Sequence, residues 1–206
     1  KPRREWVKRH LNDSYVKKAM KFGYRSRAVY KLEEIQQKDA IFRQGMTVVD
    51  LGAAPGSWSQ FALEKIGSNG QVIALDILPM DPISTVHIIQ GDFTDQETLD
   101  KILTSINGRK ISLVISDLAP NISGIKSVDQ AKAIHLCELA LDLAHKVLER
   151  NGDLLLKVFQ GEGFDPLLQQ LREDFKKVLI RKPKASRPSS REVYLLSKNF
   201  MKQGEI

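Results

Sequence analysis

The sequence contains one cysteine, Cys137. That excludes an internal disulfide and any metal centre built on several thiolates, and it suits a reducing compartment. The four histidines add no metal signal. None pairs at i, i+4 around a glutamate, and His135, His145 and Cys137 share one long helical stretch without a compact ligand cluster. No metal site is expected. No apolar run approaches about 18 residues, so no membrane span is expected either. The opening Lys1-Pro2-Arg3-Arg4-Glu5-Trp6 lacks the hydrophobic region of a signal peptide. These absences point to a cytoplasmic protein with no membrane partner. Internal repeats are absent, and no linker is long enough to divide the chain. With 206 residues, 42% of them hydrophobic, a single domain with a sizeable core is expected.

Acidic residues are scarce in two places. Residues 1–43 hold 13 Lys/Arg against 5 Asp/Glu, residues 44–175 hold 10 against 18, and residues 176–191 hold seven basic side chains and no acid. Solubility alone would not require such segregation. Two basic segments attached to a mildly acidic body imply a polyanionic partner, nucleic acid foremost. The expected contacts are Arg3, Arg4, Lys8, Arg9, Lys17, Lys18, Arg25 and Arg27 in the first segment, and Lys182, Lys184, Arg187 and Arg191 in the second.

The chain is organised around Thr47-Val48-Val49-Asp50-Leu51-Gly52-Ala53-Ala54-Pro55-Gly56-Ser57-Trp58. It reads as a buried parallel strand, a turn of small residues, then a helix with Trp58, Phe61, Ala62 and Ile66 at helical spacing. Such a turn lets backbone approach a bound nucleotide closely. The dinucleotide fingerprint needs glycine at its first, third and sixth positions, but Ala54 and Ser57 occupy the last two. No Gly-Lys-Ser/Thr follows, so there is no P-loop. A cofactor without a pyrophosphate fits better. Two further strands, Gln71–Asp76 and Val86–Gln90, lead to Asp76 and Asp92, carboxylates suited to ribose hydroxyls and to an adenine edge or amino group.

Two lysines break the apolar pattern. Ser14 to Phe22 and Ser26 to about Gln37 read as helices, and in the second Ala28, Lys31, Leu32 and Ile35 share one face. Lys31 therefore lies on the apolar stripe, either snorkelling at its edge or aimed into a site. A helix is expected over 95–106, a strand over Ile111–Asp117 and a long helix over about Val128–Leu148. After the Asn151-Gly152 turn, Asp153 to Gln160 is a strand with Lys157 inside it. A lysine there is costly unless it reaches water or an acid. Phe164 to Phe175 reads as a helix, Val178–Ile180 as a short strand, and Glu192–Ser197 as the strand that closes a mostly parallel sheet with a hairpin.

Several of these segments together carry a resemblance. They are Asp50-Leu51-Gly52-Ala53-Ala54-Pro55-Gly56, Ser26-Arg27-Ala28 before Lys31, Asp117-Leu118-Ala119-Pro120-Asn121, Lys157-Val158-Phe159-Gln160-Gly161 and Ser189-Ser190-Arg191-Glu192-Val193-Tyr194. In this order they resemble the FtsJ/RrmJ-type ribosomal RNA large-subunit 2′-O-ribose methyltransferases, over nearly the whole chain from Trp6 to Ser197. Ser57 departs from the pattern, where the bacterial enzymes have a second glycine. The resemblance implies a class I S-adenosylmethionine-dependent methyltransferase fold, α/β and Rossmann-like, with a seven-stranded, mostly parallel sheet and one antiparallel strand. A basic N-terminal helical extension over 1–43 would precede a catalytic core over 44–200.

The same likeness implies S-adenosyl-L-methionine held by Gly52, Ala53, Ala54, Pro55, Gly56, Trp58, Asp76, Ile77, Asp92, Phe93 and Asp117. A catalytic tetrad would be formed by Lys31, Asp117, Lys157 and Glu192. The implied substrate is a uridine in the A loop of large-subunit ribosomal RNA, on the assembled large subunit, with the enzyme a monomer. Competing readings are a methyltransferase of another RNA such as a transfer RNA anticodon loop, and a non-catalytic ribosome assembly factor. The latter would be expected to have lost a tetrad residue. A dinucleotide oxidoreductase would want the third glycine, and a small-molecule methyltransferase has little use for two basic segments.

Overall fold

The computed structural model describes residues 13–201. Two short helices, α1 (Ser14–Lys21) and α2 (Val29–Asp39), precede strand β1 (Thr47–Leu51), helix α3 (Ser57–Ile66), β2 (Gln71–Asp76) and β3 (Val86–Gln90). Then follow α4 (Gln96–Ile106), β4 (Ile111–Ser116), α5 (Lys126–Val147), β5 (Leu148–Phe159), α6 (Phe164–Asp174), β6 (Phe175–Arg181) and β7 (Glu192–Phe200). The strands form one sheet in the order β3-β2-β1-β4-β5-β7-β6. β7 runs antiparallel to both its neighbours, whereas β1 to β5 pair in parallel. No helix among the described residues is long and apolar enough to cross a membrane.

Strand periodicity divides the core. Side chains of a strand alternate between faces, and here Val49, Leu51, Val114, Leu154, Leu156, Val158, Val193 and Leu195 pack on the side of α4, α5 and α6. Val48, Leu113, Ile115, Leu155, Tyr194 and Leu196 face the other side, with α1, α2 and α3. The same alternation assigns Asp117, Lys157 and Glu192 to the second face, two residues on from Ile115, Leu155 and before Tyr194. That face is covered by α2, which carries Lys31. Val29, Leu32 and Ile35 of α2 are almost wholly buried, so the N-terminal helix pair completes this half of the core.

Three element boundaries differ from the sequence expectation, each for a local reason. β5 starts at Leu148 rather than Asp153, because the strand continues through a register shift opposite Ile111 and Leu113. Asn151, at φ 65°, bends that strand instead of ending a separate turn. β6 spans Phe175–Arg181 rather than three residues. It is an edge strand, where exposed Lys176 and Lys177 interrupt the apolar signal while guarding the open edge. α2 starts at Val29 rather than after Ser26, whose hydroxyl accepts the Ala28 N–H and meets the Ser57 hydroxyl at 2.7 Å.

Candidate active site

The strand order reverses between β1 and β4, and this is where an open α/β sheet forms a crevice beyond its carboxyl ends. An open cleft of about 200 Å³ lies there, bordered by Gly52, Asp76, Ile77, Asp92, Phe93 and Leu118. Gly52 and Ala53 donate their N–H groups to the Leu75 carbonyl, at 2.9 and 3.1 Å. Ala54 donates to Asp76 Oδ2 at 2.9 Å, and Leu78 to Asp76 Oδ1 at 2.9 Å. The turn is thus tied to β2 by the carboxylate that faces the cleft. Gly52 has φ 71°, and a Cβ there would stand 2.8 Å from Leu118 Cδ2 and 3.3 Å from Leu118 Cα. Only glycine fits. Asp92, which borders the cleft, accepts the N–H and hydroxyl of Thr94 at Oδ1. Pro55 follows a cis peptide bond, and Gly56 at φ 113° opens α3.

Trp58 differs from the expected cofactor contact in how it is used. Its ring is buried with Tyr194, 5.9 Å between centroids, and its indole N–H donates to the Ala28 carbonyl at 2.9 Å. The side chain thus joins the start of α2 to α3. Asp50 is fully buried beneath the same loop. Ser59 donates to its Oδ2 at 2.6 Å, while Oδ1 has no partner. Burial pushes this carboxyl up to about 7; Ser59 opposes the rise, and the nearby Asp117 and Asp76 charges add to it.

Beyond the cleft, on the face covered by α2, lie two lysine–carboxylate pairs. Lys157 Nζ donates to the Asp117 carbonyl at 2.7 Å and stands 3.2 Å from Asp117 Oδ1. Register explains the meeting: Ser116 lies beside Leu156, so Asp117 follows at the level of Lys157. Lys31 Nζ reaches Glu192 Oε1 at 2.6 Å. The stripe position of Lys31 is therefore a directed one. Burial alone would raise the Glu192 carboxyl, but Lys31, Ser186 and Lys157 together hold it below its usual value. Tyr194 was not singled out from the sequence, although it is i+2 from Glu192 and therefore shares its face. Its hydroxyl donates to Asp117 Oδ1 at 2.7 Å. Burial, and then the Asp117 and Glu192 charges, raise its phenol well above the ordinary value.

The expected RNA contacts divide. Arg3, Arg4, Lys8 and Arg9 lie outside the described residues. Lys17, Lys184, Arg187 and Arg191 are exposed. Lys18 pairs with Glu33 and covers the Tyr30 ring at 4.1 Å. Arg25 and Arg27 are half-buried and Lys182 is exposed, and all three spend their charged ends on main-chain carbonyls. Arg25 donates to the carbonyls of Pro55, Asp81 and Pro82, bracing the small-residue turn against the β2–β3 loop. Arg27 pairs with Asp13 and donates to the Ala185 carbonyl. Lys182 donates to the Ser190 and Glu192 carbonyls. His145 bonds Asp174 and stacks on Phe200, His135 faces Glu138 at the surface, and Cys137 is buried. None joins a metal cluster among the described residues.

A switch-point crevice with carboxylates at the ends of β2 and β3, under a sheet whose seventh strand is antiparallel, defines a class I S-adenosylmethionine-dependent methyltransferase. The family model for FtsJ-like methyltransferases matches residues 24–200. The chain is 57% identical over 200 residues to Ribosomal RNA large subunit methyltransferase E of Pseudomonas aeruginosa, covering 97% of each chain. With the protein of the same name from Hydrogenovibrio crunogenus it shares 56% identity over 193 residues, 94% of each. Among solved structures, a ribosomal RNA methyltransferase from Plasmodium falciparum matches with a TM-score of 0.79 at 31% identity, over 87% of this chain and 100% of that one. An rRNA-methylase from Clostridium thermocellum, at 18% identity and a TM-score of 0.55 over 82% of this chain and 97% of that one, shares the fold. The chain belongs to the FtsJ-like methyltransferase family.

Proposed function

We propose that the protein transfers a methyl group from S-adenosylmethionine to the 2′-hydroxyl of a uridine in the A loop of large-subunit ribosomal RNA. It would act as a monomer on the assembled large subunit. The observation that carries this reading is the pair of lysine–carboxylate contacts on the α2 face, adjoining the crevice and flanked by exposed basic side chains. The names of the relatives from Pseudomonas aeruginosa and Hydrogenovibrio crunogenus support the ribosomal substrate.

The residues at the crevice fit the cofactor. Gly52 leaves room where a Cβ would strike Leu118, Asp76 is braced to face a ribose, and Asp92 and Phe93 stand where an adenine edge and face would lie. When bound, S-adenosylmethionine supplies a methyl group on a sulfonium, already activated for transfer to oxygen. What remains for the protein is to orient a weakly acidic hydroxyl and manage its proton. Lys157 Nζ directs two of its contacts at Asp117, leaving one direction for a substrate oxygen. There it holds the 2′-oxygen in line, and with Asp117 it is the group able to take the proton or stabilise the developing oxyanion. Tyr194 fixes the Asp117 carboxylate. Lys31, held by Glu192, positions the nucleotide and balances the charge of the acids. Exposed Lys184, Arg187 and Arg191 meet phosphates.

The test is transfer of labelled methyl from S-adenosylmethionine to large subunits lacking the modification, with the product nucleotide mapped. Label on a 2′-oxygen of an A-loop uridine supports the reading. Label only on transfer RNA, or ribosome binding without transfer, would replace it with the corresponding alternative.

A further inference from the structure

The loop 182–191, between β6 and β7, is rich in serine, proline and basic residues, and such a loop is expected to lie on the surface. Its tip does not. Ala185 is 0% exposed and Ser186 3% exposed. Buried backbone groups need partners; Ser186 donates its N–H to the Pro183 carbonyl at 3.0 Å, and the other partners of the tip come from one short stretch of chain. Lys184 and Ala185 donate their N–H groups to the two oxygens of Glu34, at 2.7 and 2.9 Å. The Ala185 carbonyl accepts from Arg27. Glu34 lies one helical turn beyond Lys31 on α2, so the two share a face. One turn of helix therefore meets the loop at its tip through Glu34, and meets Glu192 at its end through Lys31.

Between these two points sits Ser186. Its hydroxyl donates to Glu192 Oε1 at 2.7 Å, the same oxygen that Lys31 Nζ reaches at 2.6 Å. A carboxylate held by one lysine can still turn about its side-chain torsions, whereas a second donor at the same oxygen defines its orientation. The loop holds the main chain of Glu192 as well: its N–H donates to the Ser190 hydroxyl, and its carbonyl accepts from Lys182.

We infer that Ser186 and Glu34 are positioning residues for the Lys31–Glu192 pair: Glu34 pins the tip of the loop, and the pinned tip makes Ser186 the donor that fixes the Glu192 carboxylate. The inference rests on the methyltransferase reading of the tetrad. The loop then has two roles, with Lys184 and Arg187 facing outward and Ser186 facing the reaction. The charged and titratable groups around Glu192 are Lys31 from α2, Lys157 from β5, Tyr194 from β7 and Lys182 at its carbonyl, with Asp117 held against Lys157 and Tyr194. Ser186 adds a neutral donor to that set, and its removal moves the Glu192 titration toward higher pH.

The experiment uses the full chain, S-adenosylmethionine and unmodified large subunits, with Ser186→Ala, Ser186→Thr, Glu34→Ala and the double alanine variant. In single turnover at saturating cofactor and subunit, Ser186→Ala should be slower by about 10-fold, the scale of one hydrogen bond to a charged group. Cofactor and subunit affinities should stay within about twofold. Ser186→Thr, which keeps the hydroxyl, should recover most of the rate. The double variant should be no slower than Glu34→Ala, because both substitutions remove one device. Independently of turnover, carbon-13 NMR of the Glu192 carboxyl, assigned by its loss in Glu192→Gln, should titrate at higher pH in Ser186→Ala. A normal rate in Ser186→Ala, losses that multiply in the double variant, or an unmoved Glu192 titration overturns the inference. Failure of the unmutated protein to methylate subunits overturns the functional reading, whereas the titration still decides whether Ser186 holds Glu192.

Discussion

Replacing Asp50 by asparagine should make the protein more stable at pH 8 and not at pH 4. Asp50 is wholly buried under the small-residue turn, with Ser59 donating to one oxygen and nothing meeting the other. Burial raises its carboxyl from 3.8 to about 7, with the Asp117 and Asp76 charges adding to the rise against Ser59. Folding therefore favours the protonated form. This contribution to stability is fully present below the unfolded value near 4 and is lost as pH rises through about 7. That span, at about 1.4 kcal/mol per pH unit, makes roughly 4 kcal/mol. Asparagine keeps an acceptor for Ser59 and never ionises. Its unpartnered amide costs about 1–3 kcal/mol, but an unpartnered hydroxyl carries a similar cost in the protonated wild type. The stability difference between Asp50→Asn and wild type should thus move by roughly 4 kcal/mol from pH 4 to pH 8. Urea unfolding without cofactor, at stepped pH, reads it as a relative shift of about 2 M in midpoint for a slope of about 2 kcal/mol/M. Parallel pH profiles for the two proteins would refute the reasoning.

Gly52→Ala should weaken S-adenosylmethionine binding by at least about 10-fold in calorimetry, because its Cβ strikes Leu118 and a left-handed residue costs about 1–2 kcal/mol; unchanged affinity would show that the turn yields. Trp58→Phe should lose about 1 kcal/mol in urea unfolding through the hydrogen bond to Ala28, and no loss would show that water replaces it. Affinity for the large subunit should fall with salt, and Lys184→Glu or Arg187→Glu should each lower the logarithmic slope by about one. An unchanged slope in both would remove that loop from the RNA surface.

Much of the site could be read before its geometry was known, because strand alternation and buried charge are local properties. Lys157 inside an apolar strand had to reach water or an acid, and Lys31 on an apolar stripe was either snorkelling or aimed into a site; each has a carboxylate within 3.2 Å. The hairpin at the end of the sheet was also legible, but not that β7 would insert between β5 and β6. The limits of β5 and β6 were missed where polar residues continue a ladder at an edge or through a bulge, since the backbone bonds that hold them leave no mark in the side-chain pattern. Charge counting had a different limit. It could not distinguish Arg187, open to solvent, from Arg25, whose guanidinium holds three main-chain carbonyls. Nor could it show that Glu34 accepts the N–H groups of a loop 150 residues away.

The central claim is that Lys157 acts on the substrate hydroxyl rather than merely pairing with Asp117. Single-turnover methylation of large subunits lacking the modification, by Lys157→Ala against the unmutated protein, tests it most directly. Cofactor binding, measured in parallel, should persist while the rate falls at least about 100-fold, the scale of lost general acid–base or oxyanion help. A near-normal rate in Lys157→Ala would contradict the account and leave the lysine a structural partner of Asp117.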